Sequence, residues 1–230
     1  MAITVEIIPA IMPDDYDELV SSINLVARKV DWVQIDVMDG KYTDSVSWPY
    51  GEHEEQFLNI LKEDEGLPHW QDLNFEVDLM VANPYEEVDK WIHAGVARVV
   101  LHWKSLQGGD FKKLIEDLKG LNIEVGIALL PSENFSVIED VLDKIDFVQF
   151  MGIEKVGFQD QEFAEVVLEN ISEFHKKYPE KIISVDGAVD LDTAESLVGV
   201  GVKRLVSGSY IFDGVPADNI LDLKNLVNKQ

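Results

Sequence analysis

Eight short apolar runs alternate with amphipathic segments from one end of this chain to the other. Apolar runs of roughly four to eight residues between turn signals are typical of buried strands. The segments between them carry apolar residues at helical spacing, as in helices that cover one face of a sheet. Eight such alternations in 230 residues predict an α/β protein, a single-domain (β/α)8 TIM barrel spanning residues 1–230. The predicted strands are residues 4–8, 32–36, 74–80, 98–102, 124–128, 147–151, 182–186 and 204–207.

An open, doubly wound parallel sheet is the alternative fold. It is disfavoured because no Gly-rich dinucleotide fingerprint follows the first strand, where the chain reads Pro-Ala-Ile-Met-Pro at residues 9–13. The helical stripes that would cover the outside of a barrel are Leu19, Ile23, Val26, Ala27 and Val30; Phe163, Val166, Val167 and Ile171; and Ile220, Leu223, Leu226 and Val227.

The charge balance excludes two classes of partner. The 44 acidic residues outnumber 19 lysines and arginines, and the formal net charge is -25. Nucleic acids and anionic membranes are bound through basic patches, so neither is expected here. With no cysteine there are no disulfides, and no signal-peptide pattern stands at residues 1–6, which predicts a cytoplasmic protein.

The most informative carboxylate is Asp36, at the end of the second apolar run. Active sites of parallel barrels lie at the carboxyl ends of the strands, so an acid placed there indicates chemistry more often than a turn-capping role. The interruption that follows, residues 41–48, is a candidate lid loop on the same face. Tyr42 and Trp48 in this loop are candidates for closing over a substrate.

Five short motifs then occur in a recognisable order. They are Ile-Pro-Ala-Ile at 8–11, Ile-Asp-Val-Met-Asp-Gly at 35–40, Met-Val-Ala-Asn-Pro at 80–84, Val-Asp-Gly at 185–187 and Val-Ser-Gly-Ser at 206–209. In order and rough spacing, the chain resembles the ribulose-phosphate 3-epimerases over nearly its whole length. The Asp-Val-Met-Asp-Gly string is the most specific part of this resemblance.

The resemblance implies an isomerase that interconverts D-ribulose 5-phosphate and D-xylulose 5-phosphate, or a related ketose phosphate, in pentose phosphate metabolism. In the family, one Asp removes a proton beside the ketone and another delivers a proton from the opposite face, through a metal-stabilised enediolate. These catalytic residues map onto Asp36 and Asp186. A carboxylate can act as the base if its pKa is raised toward the working pH.

The family also binds a divalent metal ion between these acids with two histidines, which are absent here. Gln34 and Asp78 occupy their positions. Gln34, Asp36, Asp78 and Asp186 would form an all-oxygen set, which suits Mg²⁺ or Mn²⁺ better than Zn²⁺. Three carboxylates without a cation would repel one another, which favours a bound metal. The alternative is a degenerate relative that binds a sugar phosphate or a protein partner without turnover.

The remaining substrate contacts follow from the resemblance as well. Ala10 stands where the family usually has Ser, and an apolar cap over the sugar is implied for Met38, Met80 and Met151. Phosphate would be bound by backbone N–H groups in the loops after strands six, seven and eight, with Asp160 adding a nearby negative charge. The implied phosphate-binding residues are Gly157, Gly187, Ala188, Gly208 and Ser209.

The histidines and the assembly state complete the expectations. His102 ends the fourth strand and is interpreted as a structural histidine, with a pocket-facing role as the alternative. The other four, His53, His69, His93 and His175, lack ligand spacing. A homo-oligomer is predicted because family members are often oligomeric and Trp91 is expected on an exposed helix face.

Overall fold

Eight parallel strands close into one barrel in the order of the chain, which confirms the predicted (β/α)8 architecture. The computed structural model describes residues 5–51, 54–158 and 161–228. The strands are β1 (Glu6–Ile11), β2 (Trp32–Met38), β3 (Asn74–Met80), β4 (Arg98–His102), β5 (Glu124–Leu129), β6 (Phe147–Met151), β7 (Ile182–Asp186) and β8 (Arg204–Ser207).

Helices cover the outside of the strands. They are α1 (Tyr16–Val26), α2 (Glu54–Leu61), α3 (Pro84–His93), α4 (Phe111–Gly120), α5 (Val166–Lys177), α6 (Leu191–Gly199), α7 (Ser209–Phe212) and α8 (Pro216–Val227). Two 3₁₀ helices, Trp103–Gly108 and Phe135–Val141, follow β4 and β5. Among the described residues, no helix has the length and hydrophobicity needed to span a membrane.

Three strands run further toward the carboxyl end than their apolar runs predicted. β1 continues past Pro9 because Ala10 and Ile11 pair with β2 and Pro9 lies in register with Ser207 of β8. β2 reaches Met38 and β5 reaches Leu129. The predicted start of β1 at Thr4 lies outside the described residues. The extension matters because it brings Ala10 and Met38 to the functional end of the barrel.

The predicted apolar stripes are largely buried, with one error. α1 buries Leu19, Ile23 and Val26 against the barrel, and Asp15 caps its first turn. In α5 the buried side chains are Val167, Ile171 and Phe174, whereas Val166 is 44% exposed. The assignment of Val166 to the inner face was wrong because α5 begins at this residue and the inner face is set by the 3- and 4-residue spacing that follows.

The amino end of the barrel is closed by an ion-pair network. The buried Arg98 contacts Glu76 through Nη1 at 3.1 Å and Glu124 through Nε at 3.0 Å. Arg204 shares Glu6 and Glu124 with it. Charged groups buried at this end contribute to the stability of the fold, since the active sites of such barrels lie at the opposite end.

Two tryptophans lie where the sequence analysis did not place them. Trp48 and Trp91 are both fully buried, with ring centroids 5.9 Å apart, and Phe57 packs against both. Trp48 is therefore a core residue between the barrel and its helices, and the idea that it closes over a substrate was wrong. Trp91 is not an exposed aromatic, so the predicted homo-oligomer loses that support and stays a prediction.

The loop after β2 is a folded connection held to its own strand. Ser47 Oγ donates to the carbonyl oxygen of Asp36 at 2.8 Å and accepts from the backbone N–H of Met38 at 3.0 Å. Asp39 accepts from the backbone N–H groups of Lys41 and Ala82. Residues 41–48 are thus fixed at the rim by side-chain and backbone hydrogen bonds.

Candidate active site

Three carboxylates converge inside the carboxyl end of the barrel. Asp36 of β2 lies in register with Asp78 of β3, and Asp186 reaches the same point from β7 on the far side of the ring. One oxygen from each lies within 4.8 Å of the others. Inward-facing positions of parallel strands meet there, so register alone brings these three acids together.

A single amide bridges the two proposed catalytic acids. Gln34 Nε2 donates to Asp36 Oδ1 at 2.7 Å and to Asp186 Oδ2 at 2.8 Å. Its Oε1 atom is buried and has no hydrogen-bond partner among the residues that the structure describes. A buried, unpaired oxygen costs roughly 1–3 kcal/mol, and a cation at this point would give it a partner once the amide turned over.

His102 also contacts the acid cluster. Its Nε2 atom lies 2.9 Å from Asp78 Oδ1, and both side chains are buried. Burial lowers the pKa of His102, but the charge and hydrogen bond of Asp78 outweigh it, and the net shift is upward. The interpretation of His102 as a structural histidine did not name this partner, which lies on the neighbouring strand β3.

The proximity of the acids changes how readily they ionise. Burial, and then the charges of Asp186 and Asp78, raise the pKa of Asp36 well above its usual value. Burial, and then the charge of Asp78, raise the pKa of Asp186 to about 7. The hydrogen bond from Gln34 acts in the opposite direction on both. The cluster therefore holds protons, or a cation, at a pH where exposed carboxyls are fully ionised.

Sequence reasoning did not single out Gln149, which lies beneath the acids. Its Nε2 atom is 3.4 Å from Asp78 Oδ2 and 3.4 Å from Asp186 Oδ2, and its Oε1 atom accepts from Ser184 Oγ at 3.1 Å. The signal was present in the sequence, since Gln149 is a polar residue in the apolar run of β6. Period-two alternation places it on the same face as Met151, toward the barrel interior.

A cavity opens to solvent above the acids, and its empty space is about 610 Å³ with open solvent included. Asp36, Asp186, Ala10, Met80 and Met151 line it. The residues predicted to bind phosphate also line it: Gly157, Gly187, Ala188, Gly208 and Ser209. Met38 is buried and packs with Met80 and Met151 beneath the wall, so it supports the predicted apolar cap without lining the cavity.

The loop conformations on the phosphate side require glycine at two places. Gly157 has φ +85 and Gly187 has φ +97, a region that other residues rarely adopt. A Cβ atom at Gly187 would lie 2.8 Å from Ile153. Among the described residues lining the cavity, none is basic, so an anion there would depend on backbone N–H groups. The predicted effect of Asp160 cannot be placed, because Asp160, like His53, lies outside the described residues.

Two loops meet at the rim of the cavity. Ser45 Oγ, from the loop after β2, donates to the carbonyl oxygen of Gly157 at 2.6 Å. Lys155 pairs with Asp44 at 3.2 Å, and its Nζ atom lies 4.1 Å from the centroid of the Phe158 ring. Phe158 lines the cavity and is 38% exposed. The loop after β2 thus supports the loop that carries Gly157.

Comparison with known proteins decides the family. The profile of the ribulose-phosphate 3-epimerase family matches residues 6–212. The chain belongs to the ribulose-phosphate 3-epimerase family. The chloroplastic ribulose-5-phosphate-3-epimerase of Arabidopsis thaliana is 30% identical over 209 residues, covering 89% of this chain and 70% of that protein. The ribulose-phosphate 3-epimerase of Treponema pallidum is 28% identical over 211 residues and covers 90% of each chain.

Solved structures of other enzymes share the barrel. KGPDC from Streptococcus mutans aligns with a TM-score of 0.68 at 14% identity, covering 98% of both chains. 3-Hexulose-6-phosphate synthase from Salmonella typhimurium aligns with a TM-score of 0.66 at 14% identity, covering 97% of this chain and 99% of the other. At these identities the likeness supports the fold alone.

Family membership confirms that this is a sugar-phosphate epimerase by class. The carboxylate cluster has the composition of a divalent-metal site: three acids with converging oxygens, and the Gln34 amide, whose oxygen would face them once the amide turned over. The residues present thus fit the metal that the family implies, although neither family histidine is retained.

Proposed function

We propose that this protein epimerises a ketose phosphate, D-ribulose 5-phosphate to D-xylulose 5-phosphate, at the carbon beside the ketone. The observation that carries the proposal is the pair formed by Asp36 and Asp186. The two carboxylates come from strands on different sides of the barrel, line one cavity and share the Gln34 amide. Inversion at carbon requires two proton-transfer groups, and the names of the relatives supply the substrate.

In the forward direction one ionised carboxylate removes the proton from the substrate carbon. The other carboxyl, protonated at the start, delivers a proton to the opposite face, and the two exchange roles for the reverse reaction. In the metal-free cluster burial raises the pKa of both groups, that of Asp186 to about 7, and a proton-transfer group works best with a pKa near the working pH. In the metal-free site Gln34 links the two groups through its two short hydrogen bonds.

Gln34, Asp36, Asp78 and Asp186 would hold the divalent ion, with Mg²⁺ or Mn²⁺ favoured over Zn²⁺ by the oxygen ligands. When bound, such an ion supplies Lewis-acid stabilisation of the negative charge that develops on the substrate oxygen. His102 holds Asp78 in place through its hydrogen bond at 2.9 Å.

The phosphate group would lie between the loops after β6, β7 and β8. Gly157, Gly187, Ala188, Gly208 and Ser209 border this part of the cavity. Backbone N–H groups there can bind phosphate without a basic side chain, which fits a protein with a net charge of -25. Met80 and Met151 would lie against the apolar edge of the sugar and exclude water from the proton-transfer groups.

The test is conversion of D-ribulose 5-phosphate in deuterium oxide, followed by NMR, in protein stripped by chelator and then supplied with Mg²⁺, Mn²⁺ or Zn²⁺. We expect D-xylulose 5-phosphate labelled beside the ketone, formed fastest with Mg²⁺ or Mn²⁺. Asp36→Asn and Asp186→Asn should lose activity, whereas Asp117→Asn, at an exposed acid on α4, should retain it. No product and no label with any ion would overturn the proposal and leave the non-catalytic alternative.

A further inference from the structure

Two amides face the acid cluster, and the structure distinguishes them. The Gln34 amide nitrogen donates to two acids, but the amide oxygen has no partner among the described residues. Hydrogen bonds therefore fix only the nitrogen end of this amide. The Gln149 amide is held at both ends. Ser184 Oγ donates to its oxygen, and its nitrogen points to the acids. A turn of the Gln149 amide would place its oxygen against two carboxylates and leave the Ser184 hydroxyl opposite an N–H₂ group.

The surroundings fix the Gln149 side chain as well. Gln149 and Ser184 are both fully buried and lie in register on the neighbouring strands β6 and β7. Phe147 and Met151 flank Gln149 on the same side of β6, two residues away in each direction. A fully buried amide among apolar neighbours is retained only where its hydrogen bonds are made. Here those bonds go to Ser184 and to the acids.

We infer that Gln149 is a positioning residue for the proposed metal site: it holds Asp78 and Asp186 together, so that their remaining acceptor sites are ready to receive a divalent cation. The inference rests on the proposed function, because it assumes that the cation binds these acids. Each carboxylate offers about four acceptor sites, so a donor beneath the cluster leaves sites facing the cavity free for the ion. With the ion bound, the Gln34 amide would turn its oxygen toward the ion, whereas the Gln149 amide would keep its nitrogen toward the acids.

The role has a physical basis in the repulsion between the acids. Asp78 and Asp186 come from opposite sides of the ring, and no strand pairing holds them to each other. Without Gln149, Asp78 keeps its contact with His102 and Asp186 keeps its hydrogen bond from Gln34, but Gln149 no longer donates to both acids, and the ion must bring them together itself. Loss of a hydrogen-bond partner behind a metal ligand typically weakens metal binding by about 10–100-fold.

The experiment measures Mn²⁺ binding by titration calorimetry to chelator-stripped protein, for wild type, Gln149→Leu and Ser184→Ala. Leucine fills similar space and removes the donor, so the Kd for Mn²⁺ should rise by about 10–100-fold. Ser184→Ala keeps the donor but releases the amide oxygen, so its effect should be smaller and in the same direction. Gln107→Leu, an amide on the 3₁₀ helix after β4 that donates to Trp103, is the matched control and should leave the Kd unchanged.

A second readout separates positioning from packing. The rise in Tm produced by saturating Mn²⁺ follows the binding affinity by mass action. If Gln149 served packing alone, Gln149→Leu would shift the Tm of the metal-free and the Mn²⁺-loaded protein equally. If Gln149 positions the acids, the rise in Tm produced by Mn²⁺ should be smaller in Gln149→Leu than in the wild type. Should Gln149→Leu fail to fold, Ser184→Ala decides by the same two measurements.

The outcomes separate this inference from the proposed function. Wild-type Kd values in both Gln149→Leu and Ser184→Ala would overturn the role of Gln149 while the metal-dependent epimerase stands. Absence of Mn²⁺ binding to the wild type would overturn the metal site, and the role of Gln149 with it. Weaker binding in both variants, with the control unchanged, would support the inference.

Discussion

At the scale of single residues, the acid cluster was predictable and its amide partners were not. Asp36 could be assigned because an acid at the carboxyl end of a barrel strand lies on the active face, and Asp78 and Asp186 were assigned from the family resemblance. The contacts of Gln149 and His102 depend on which atoms lie across a strand boundary. Period-two alternation gives the facing side of a residue but not its partner.

The ligand set makes a prediction about metal preference. Replacing Gln34 and Asp78 together by histidine introduces two imidazole nitrogens, which suit Zn²⁺ better than carboxylate and amide oxygens do. We expect Gln34→His with Asp78→His to shift the ratio of Zn²⁺ to Mn²⁺ affinity toward Zn²⁺ by at least about tenfold. Competition titrations measure the ratio, with Gln107→His as the control. An unchanged ratio would mean that these positions do not contact the ion.

The cluster also predicts how stability depends on pH. Burial and the charge of Asp78 raise the pKa of Asp186 from 3.8 to about 7. A carboxyl with a higher pKa in the folded state binds more protons when folded, so its contribution to the free energy of unfolding falls as pH rises from about 4 to about 7. In chelator, Asp186→Asn should therefore gain stability relative to wild type across this range.

Thermal unfolding of both proteins at several pH values checks this expectation. Asp44→Asn, at an exposed acid on the same face, should track the wild type. Mn²⁺ should remove the pH-dependent difference by stabilising the ionised wild-type cluster. A constant difference between Asp186→Asn and wild type from about pH 4 to about pH 7 would contradict the assigned pKa shift.

Among the structural elements, the strands could be predicted from their apolar runs, whereas the conformations of the loops could not. The loop at residues 41–48 was expected to be a lid because it is long and lies on the active face. Its conformation depends instead on Ser47, whose hydroxyl bonds to the backbone of Asp36 and Met38 in β2, and on Trp48, which enters the core. Neither interaction has a local sequence signature, because both depend on tertiary partners.

The loop after β6 can be tested through its glycine. Gly157 has φ +85, and a Cβ atom would lie 2.8 Å from Thr43 Oγ1. Gly157→Ala should therefore distort the phosphate side of the cavity at a cost of roughly 1–3 kcal/mol. We expect KM for D-ribulose 5-phosphate to rise by about 5- to 50-fold, more than kcat falls.

Steady-state kinetics of Gly157→Ala and of Gly120→Ala separate the site from a general glycine effect. Gly120 ends α4, and a Cβ atom there meets nothing within 4 Å. Its substitution should leave both kinetic constants near wild type. An unchanged KM in Gly157→Ala would show that this loop does not bind the substrate.

Across the whole barrel, the buried ion pairs at the amino end contribute to stability, whereas the candidate active site lies at the carboxyl end. Arg98 neutralises the fully buried Glu76 at the amino end. Even so, burial raises the pKa of Glu76 to about 7. Removing one partner of a buried pair typically costs about 3–5 kcal/mol, because the other charge is left without compensation.

Arg98→Ala should thus lower the free energy of unfolding by about 3–5 kcal/mol in urea denaturation. Lys113→Ala breaks an exposed pair with Asp117 and should leave the free energy of unfolding near that of the wild type, because solvent screens exposed pairs. Equal losses in the two variants would contradict the assignment of the buried network to stability.

Asp36 and Asp186 are proposed to act from opposite faces of one carbon, and isotope exchange with each epimer tests this arrangement. Each Asn variant keeps one base, so each should exchange the proton of one epimer with deuterium oxide while forming no product. Asp36→Asn and Asp186→Asn should exchange opposite epimers of the ribulose and xylulose 5-phosphate pair. If both variants exchange the same epimer, or if either retains epimerisation, the assignment of two carboxylates on opposite faces is wrong.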